Sequence, residues 1–251
     1  SDEGVHFVSH INCSEFITNG CRFTHEEEGQ YGYTLGEDIV FDGDYHLIAG
    51  KLDLNGHSMT VRGDFYHTYG EIRAGNGTLI IEGDYYLENN EENVDETEPL
   101  VYYEEGNGYI HIYGDAVFKD GFFYEEYYGE RYCFLIEGNL RICGTRISQY
   151  GGTGSFLLAG TKKQMVYCED WGLGECRFLI DNHSDEGVFF ANILEYTSVN
   201  ENGCKVVYIS ENATYGWKLE EDMVWSGDLV LNGGTLDLNG YNLIITGNFI
   251  Q

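Results

Sequence analysis

The dipeptide Gly-Asp falls at 43–44, 63–64 and 83–84, a spacing of 20 residues, returns at 114–115, and reappears as Gly-Asn at 138–139. Near the other end the same beat runs from Gly227 to Gly247. Between beats lie three short runs, such as "YHLI", "KLDL" and "SMTV", separated by "AG", "NG" and "RGD". Three short strands per period, each followed by a glycine-containing corner, describe a triangular coil. "NG" between apolar runs is also a hairpin signal. A meander of hairpins, however, has no reason to hold a 20-residue period through successive strand triplets. A stacked β-solenoid must hold it, because each coil returns to a fixed place above the one before.

This beat sits inside a longer repeat. "SDEGV" occurs at 1–5 and 184–188, and "NGC" at 19–21 and 202–204. Residues 37–67 align with 221–251 without a gap, and 14 of the 31 positions are identical, among them Gly43, Asp44, Leu52, Asp53, Leu54, Asn55 and Gly56. The chain therefore reads as a tandem duplication: residues 1–183 are one full unit and 184–251 the start of the next copy, in one continuous solenoid. Natural solenoids blunt their ends with atypical capping coils, yet the last 31 residues copy an interior segment. The expectation is that coils continue beyond them, within the same polypeptide or in an identical chain stacked head to tail. A head-to-tail contact of that kind does not close and generates fibres.

The fold class expected is all-β: a right-handed parallel β-helix (β-solenoid) with ~20-residue three-strand coils and acidic loop insertions. The handedness follows from the general preference of parallel crossovers. Leu52 and Leu54, like Met59 and Val61, alternate with polar neighbours at the strand period of two. Inward side chains then stack on their equivalents one coil up, with Val61, Ile81, Ile112, Ile136 and Ile245 as one column. The 34 glycines supply corners with φ > 0. The single proline, Pro99, lies outside the regular coils, as the need for ladder donors requires.

The runs "GGTLDLNGYNLIITGN" and "GTGSFLLAGTKKQMVYCEDWGLGECRFLIDNHSDEGVFF" resemble the tandem β-helix repeat units of very long bacterial surface and secreted adhesin-like proteins. That resemblance implies an extracellular or cell-surface scaffold without a catalytic motif, and it transfers no functional residue.

The formal charge is −30, from 13 Lys+Arg against 43 Asp+Glu. Nucleic acid and anionic membrane surfaces bind through Lys and Arg, so neither is an expected partner. No apolar run is long enough to insert in a membrane. Identical units, glycans and basic proteins are the partners that this composition leaves. The interval from Gly83 to Gly114 is 31, and residues 88–105 hold eight acidic side chains and no basic one. Insertions in a solenoid become outer loops. One reading of these loops is a solvated, charged border that keeps an edge-rich protein soluble. The other is a Tyr/Glu surface, with Tyr102, Tyr103, Tyr124, Tyr127 and Tyr128, that binds a glycan by ring stacking or a basic partner by charge.

Asp44, Asp64, Asp84 and Asp115 should stack near one corner. An aspartate there can cap its own turn by accepting backbone N–H groups. The same column is a candidate Ca²⁺ site, although the nonapeptide Ca²⁺ signature does not occur. No other cofactor is expected. The seven cysteines suggest three local pairs, Cys13–Cys21, Cys133–Cys143 and Cys168–Cys176, with Cys204 left over. Catalysis stands last among the readings. The histidines form no metal-binding spacing and no GxSxG occurs. Basic residues to hold an acidic polysaccharide are few. The expectation is a non-enzymatic structural segment of a filament, stalk or adhesin. A carbohydrate-binding module is the alternative, and a polysaccharide-active β-helix enzyme comes after both.

Overall fold

A computed structural model describes residues 5–7, 23–25, 32–48, 50–68, 70–88, 101–103, 107–119, 122–125, 133–143, 146–148, 154–169, 176–191, 197–209, 216–219, 222–225, 229–231 and 235–251. Among the described residues every regular element is a strand, and every strand pairing is parallel. The chain is a β-solenoid. Its faces are sheets of twelve, eight and six strands. A typical coil is Lys51–Asp53 on the six-stranded sheet, Ser58–Val61 on the eight-stranded and Phe65–His67 on the twelve-stranded. The twelve-stranded sheet runs from Val5–Phe7 to Phe249–Ile250 and passes residues 183–184 without a break in its pairing. No helix among the described residues is long and apolar enough to cross a membrane.

The "NG" dipeptides turn corners and make no hairpins. Asn55 and Gly56 have φ of 48° and 81°, the left-handed region that asparagine and glycine tolerate best. Two positive φ values in succession reverse a chain in a hairpin. Here the strands on either side join different sheets, and each pairs with the coil above or below. The Asn55 side chain fixes the corner to the stack: its Nδ2 donates to Leu35 O one coil below, at 3.0 Å. The second copy repeats this atom for atom. Asn239 and Gly240 have φ of 46° and 84°, Asn239 Nδ2 donates to Leu219 O at 3.1 Å, and Asn242 N donates to Asp222 Oδ1 as Ser58 N does to Asp38 Oδ1.

Inside, apolar side chains stack rung on rung. Phe41, Val61, Ile81, Ile112, Ile136, Leu158 and Ile180 form one column in register, each no more than 1% exposed. Beside it the rings of Phe134, Phe156 and Phe178 stack at 5.4 and 5.5 Å. Ile245 does not join the column expected for it. The eight-stranded sheet ends at Thr197–Asn200, so Ile245 pairs with Trp225 in a separate two-stranded sheet and packs half-buried against the core.

The Gly-Asp glycines above Gly43 serve a purpose other than positive φ. Gly63, Gly83, Gly114 and Gly138 each donate N–H to the glycine carbonyl one coil below, at 3.0 to 3.1 Å. A Cβ on Gly83 would stand 2.3 Å from Asp64 Oδ1 and 2.6 Å from Gly63 O, and only hydrogen fits. The longer, 31-residue interval leaves this contact intact, since Gly114 still bonds Gly83 and Tyr85–Glu88 still pairs with Ala116–Lys119. Pro99 lies outside the described residues.

Two glycines separate the explanations. Gly83→Ala overpacks backbone against backbone and should cost about 3 kcal/mol. Gly36→Ala, with nothing within 4 Å of the added carbon, should change stability by less than about 0.5 kcal/mol. Urea denaturation of the two variants checks this; equal losses would mean that the corner column is not close-packed. Likewise Leu54→Asp, which puts a carboxylate at a fully buried position, should unfold the chain. Asp53→Asn should be nearly neutral, because the amide oxygen can still accept the Asn55 N–H that Asp53 Oδ1 accepts at 2.9 Å.

Candidate functional site

The aspartate column is assembled as expected, but its hydrogen bonds run between coils. Asp44 Oδ1 accepts the N–H of Asp64 at 3.0 Å, Asp64 Oδ1 that of Asp84 at 2.8 Å, and Asp84 Oδ1 that of Asp115 at 2.7 Å. Asp115 Oδ1 then accepts from Asn139 N, and Asn139 Oδ1 from Met165 N. Each carboxylate thus caps the next coil, where the sequence suggested that it caps its own turn. The outer oxygens of Asp64 and Asp84 accept from the Tyr66 and Tyr86 hydroxyls, at 3.3 and 2.9 Å. The bond to Asp84 pushes the Tyr86 phenol up to about 12. Above and below these bonds the rings of His46, Tyr66 and Tyr86 stack at 4.5 and 5.1 Å. Among the described residues no group of three or more His, Cys, Asp or Glu side chains is disposed to hold a metal ion.

Of the tyrosines singled out, Tyr102 and Tyr124 are brought together. They are paired residues on adjacent rungs of the six-stranded sheet, in the strands Val101–Tyr103 and Phe122–Glu125. They continue the register position held below by Asp53 and Arg73. Tyr103 pairs with Glu125. Tyr127 and Tyr128 lie outside the described residues, as do Cys13 and Cys21.

Among the described residues no disulfide joins Cys133, Cys143 or Cys204. The expected Cys133–Cys143 bridge is not formed, because the two residues belong to different faces: Cys133 precedes Phe134–Ile136 of the eight-stranded sheet, and Cys143 ends Leu140–Cys143 of the twelve-stranded sheet. Cys168 and Cys176 are divided between the same two sheets, beside Ile142 and Gly154.

Two polar arrangements were not legible in the sequence. His67 is buried in the core column between Leu47 and Leu87. Its Nε2–H donates to Gly70 O at 2.9 Å, which leaves Nδ1 to accept from the Tyr85 hydroxyl at 2.9 Å. Desolvation holds the ring down to about 4, against the opposing pull of the Gly70 carbonyl. The second arrangement joins Cys204, His183 and Asp181. Cys204 Sγ donates to Ile180 O and lies 3.8 Å from His183 Nδ1, while His183 Nε2 meets Asp181 Oδ1 at 3.0 Å. The order thiol, imidazole, carboxylate is that of a cysteine nucleophile, but the electrostatics are opposed to one. Burial raises the Cys204 pKa, and the charge of Asp181 raises it further. The protonated thiol is the form stabilised, whereas a reactive cysteine needs its thiolate. The pairs His67–Gly70 and Asp181–His183 are local, but Tyr85 and Cys204 join them only across rungs, where no sequence signal announces them.

Comparison with protein-family models, with curated proteins and with solved structures gave no match. What can be said of the site rests on its own geometry.

Two measurements follow. Above its unfolded pKa near 6.5, His67 is neutral in both folded and unfolded chains and its full contribution is present. As pH falls from 6.5 towards about 4, only the unfolded chain takes up the proton, and stability is lost. This amounts to about 3 kcal/mol across the window. His67→Gln should remove that part of the pH dependence. The gap between wild type and variant in urea midpoint should therefore narrow from pH 7 to pH 4.5, with the shared carboxylates cancelling in the comparison. For Cys204, alkylation at pH 8 followed by peptide mapping should run at least about tenfold slower in the native chain than in urea. A native rate equal to or above the unfolded rate would mean that His183 activates the thiol.

Proposed function

We propose that this chain is a non-enzymatic structural segment of an extracellular filament, stalk or adhesin built from tandem or head-to-tail β-solenoid units. One observation carries the reading: the corner at Asn55 and its copy at Asn239 make the same hydrogen bonds to the coil below, at 3.0 and 3.1 Å. A duplicated unit that stacks by the same contacts as a single coil can be added repeatedly, and length is what such addition produces. The high negative charge suits a long, edge-rich surface that must stay soluble. The Cys204 thiol, held in its protonated form, supports a scaffold better than a catalyst. The resemblance to bacterial surface β-helix repeats points the same way, and Ca²⁺ at the aspartate column belongs to this proposal as a stabilising ion.

A second reading, a carbohydrate-binding module, draws on the register of Tyr102 with Tyr124. Repeated tyrosines one rung apart make a strip along which a glycan chain could lie.

The two are separated by two experiments on the native protein. Electron microscopy should reveal elongated particles with a constant axial repeat, and a glycan array should be silent. Compact particles would overturn the structural reading. Array binding abolished by Tyr102→Ala and Tyr124→Ala would establish the second.

A further inference from the structure

The outer face of the eight-stranded sheet carries a feature that a solvated scaffold does not need. Ile80, His111, Leu135, Leu157 and Leu179 occupy one register position on five consecutive rungs. Each is half-buried and alternates with fully buried neighbours, so this column faces outward. The stripe has polar ends: Thr60 lies below Ile80 and the exposed Asn200 above Leu179. On the twelve-stranded sheet the outward column His46, Tyr66, Tyr86, Val117, Arg141 has no comparable run of leucines.

Two residues further along each strand, an acidic border runs beside the stripe. Glu82, Glu137 and Asp181 stay in rung register, each donating its N–H to the coil below at Val61, Ile112 and Leu158. Glu82 and Asp181 are exposed, and Glu137 reaches back to His111 Nε2 at 2.9 Å. The far border is weaker in charge, with Thr78, Tyr109 and Arg177.

We propose that this stripe docks a cationic amphipathic α-helix of a partner protein, laid along the solenoid axis. The dimensions agree. Rungs repeat at about 4.8 Å, and one helical turn advances about 5.4 Å, so successive apolar residues of a helix face find successive leucines. From Ile80 to Leu179 is four rung steps, about 19 Å, the length of about 13 helical residues. Glu82, Glu137 and Asp181 follow at two-rung intervals of about 10 Å, which matches Lys or Arg at every seventh helix position, about 10.5 Å apart. Charge selects the partner: at −30, a second copy of this chain would bring like charge against the border, whereas a basic helix gains attraction along its length.

The test uses the whole chain and a synthetic 18-residue Leu/Lys peptide designed as an amphipathic helix. Its control is a peptide of the same composition, rearranged so that no apolar face forms. Fluorescence anisotropy should give saturable binding of the helix and about tenfold weaker binding of the control, a difference of about 1.4 kcal/mol. Leu157→Ser should weaken the helix at least about tenfold, while Val117→Ser on the other face leaves it unchanged. The double change Glu82→Gln and Glu137→Gln keeps the apolar stripe and should flatten the salt dependence of binding. Circular dichroism verifies that each variant is folded, and the glutamine pair provides the decisive reading if Leu157→Ser is not. Absence of binding, equal binding of the rearranged peptide, or insensitivity to both Leu157→Ser and the glutamine pair would overturn the proposal.

Discussion

The coils from Gly43 to Asn139 rest on one close approach, that of the Gly-Asp corner to the Gly-Asp corner beneath it. From Gly63 to Gly138 each corner glycine N–H donates to the glycine carbonyl below, and from Asp64 to Asp115 each aspartate N–H donates to the carboxylate below. Stacking carboxylates one rung apart sets like charges about 4.8 Å from one another, which costs about 1 kcal/mol per neighbouring pair in a water-like medium. A hydrogen bond to a charged acceptor contributes about 1.5–3 kcal/mol, so the ladder gains more from capping than it loses to repulsion. The 31-residue interval closes on the same bonds as the 20-residue ones, at 3.0 Å between Gly114 N and Gly83 O and 2.7 Å between Asp115 N and Asp84 Oδ1.

Because that corner returns the chain to the same height each time, three faces follow, and each acquires an inner and an outer chemistry. Inside, columns of Val, Ile, Leu and Phe pack ring on ring and branch on branch. His67, one of several buried polar side chains, is tolerated because both ring nitrogens have partners, and its low pKa records the cost of charging it there. Outside, what a column carries is free to differ from face to face. The aspartate and tyrosine stack stands at the twelve-stranded sheet, and the leucine stripe with its acidic border on the eight-stranded. A scaffold of this kind separates folding from recognition, since the inner columns hold the rungs together whatever the outer ones display.

The constellation of Cys204, His183 and Asp181 illustrates why geometry alone does not make a catalyst. The spacing is that of a nucleophile and its base, yet burial and the neighbouring carboxylate both favour the protonated thiol. Two residues of "DNH" at 181–183 meet Cys204 because the next coil stacks upon them, a proximity produced by the architecture of every rung.

By itself the sequence determined the coil. The 20-residue spacing of Gly43, Gly63 and Gly83, the alternation at Leu52 and Leu54, and the duplication of residues 37–67 at 221–251 are local and periodic signals, and a period can be read without knowing what lies across a rung. The column from Val61 to Ile136 followed from that period, while Ile245 did not, since whether a strand joins a sheet depends on which strands precede it in space. The tertiary structure decided what period alone cannot encode: that Gly63, Gly83, Gly114 and Gly138 exclude a Cβ where no turn demanded positive φ, and that the aspartates cap the coil above. It also decided that Cys133 and Cys143 part onto different faces, and that three leucines from distant strands line one outer stripe. The glycine and aspartate contacts and the leucine stripe join residues about 20 or more positions apart, and all four features are fixed by the distance between rungs and by the direction each face gives its side chains.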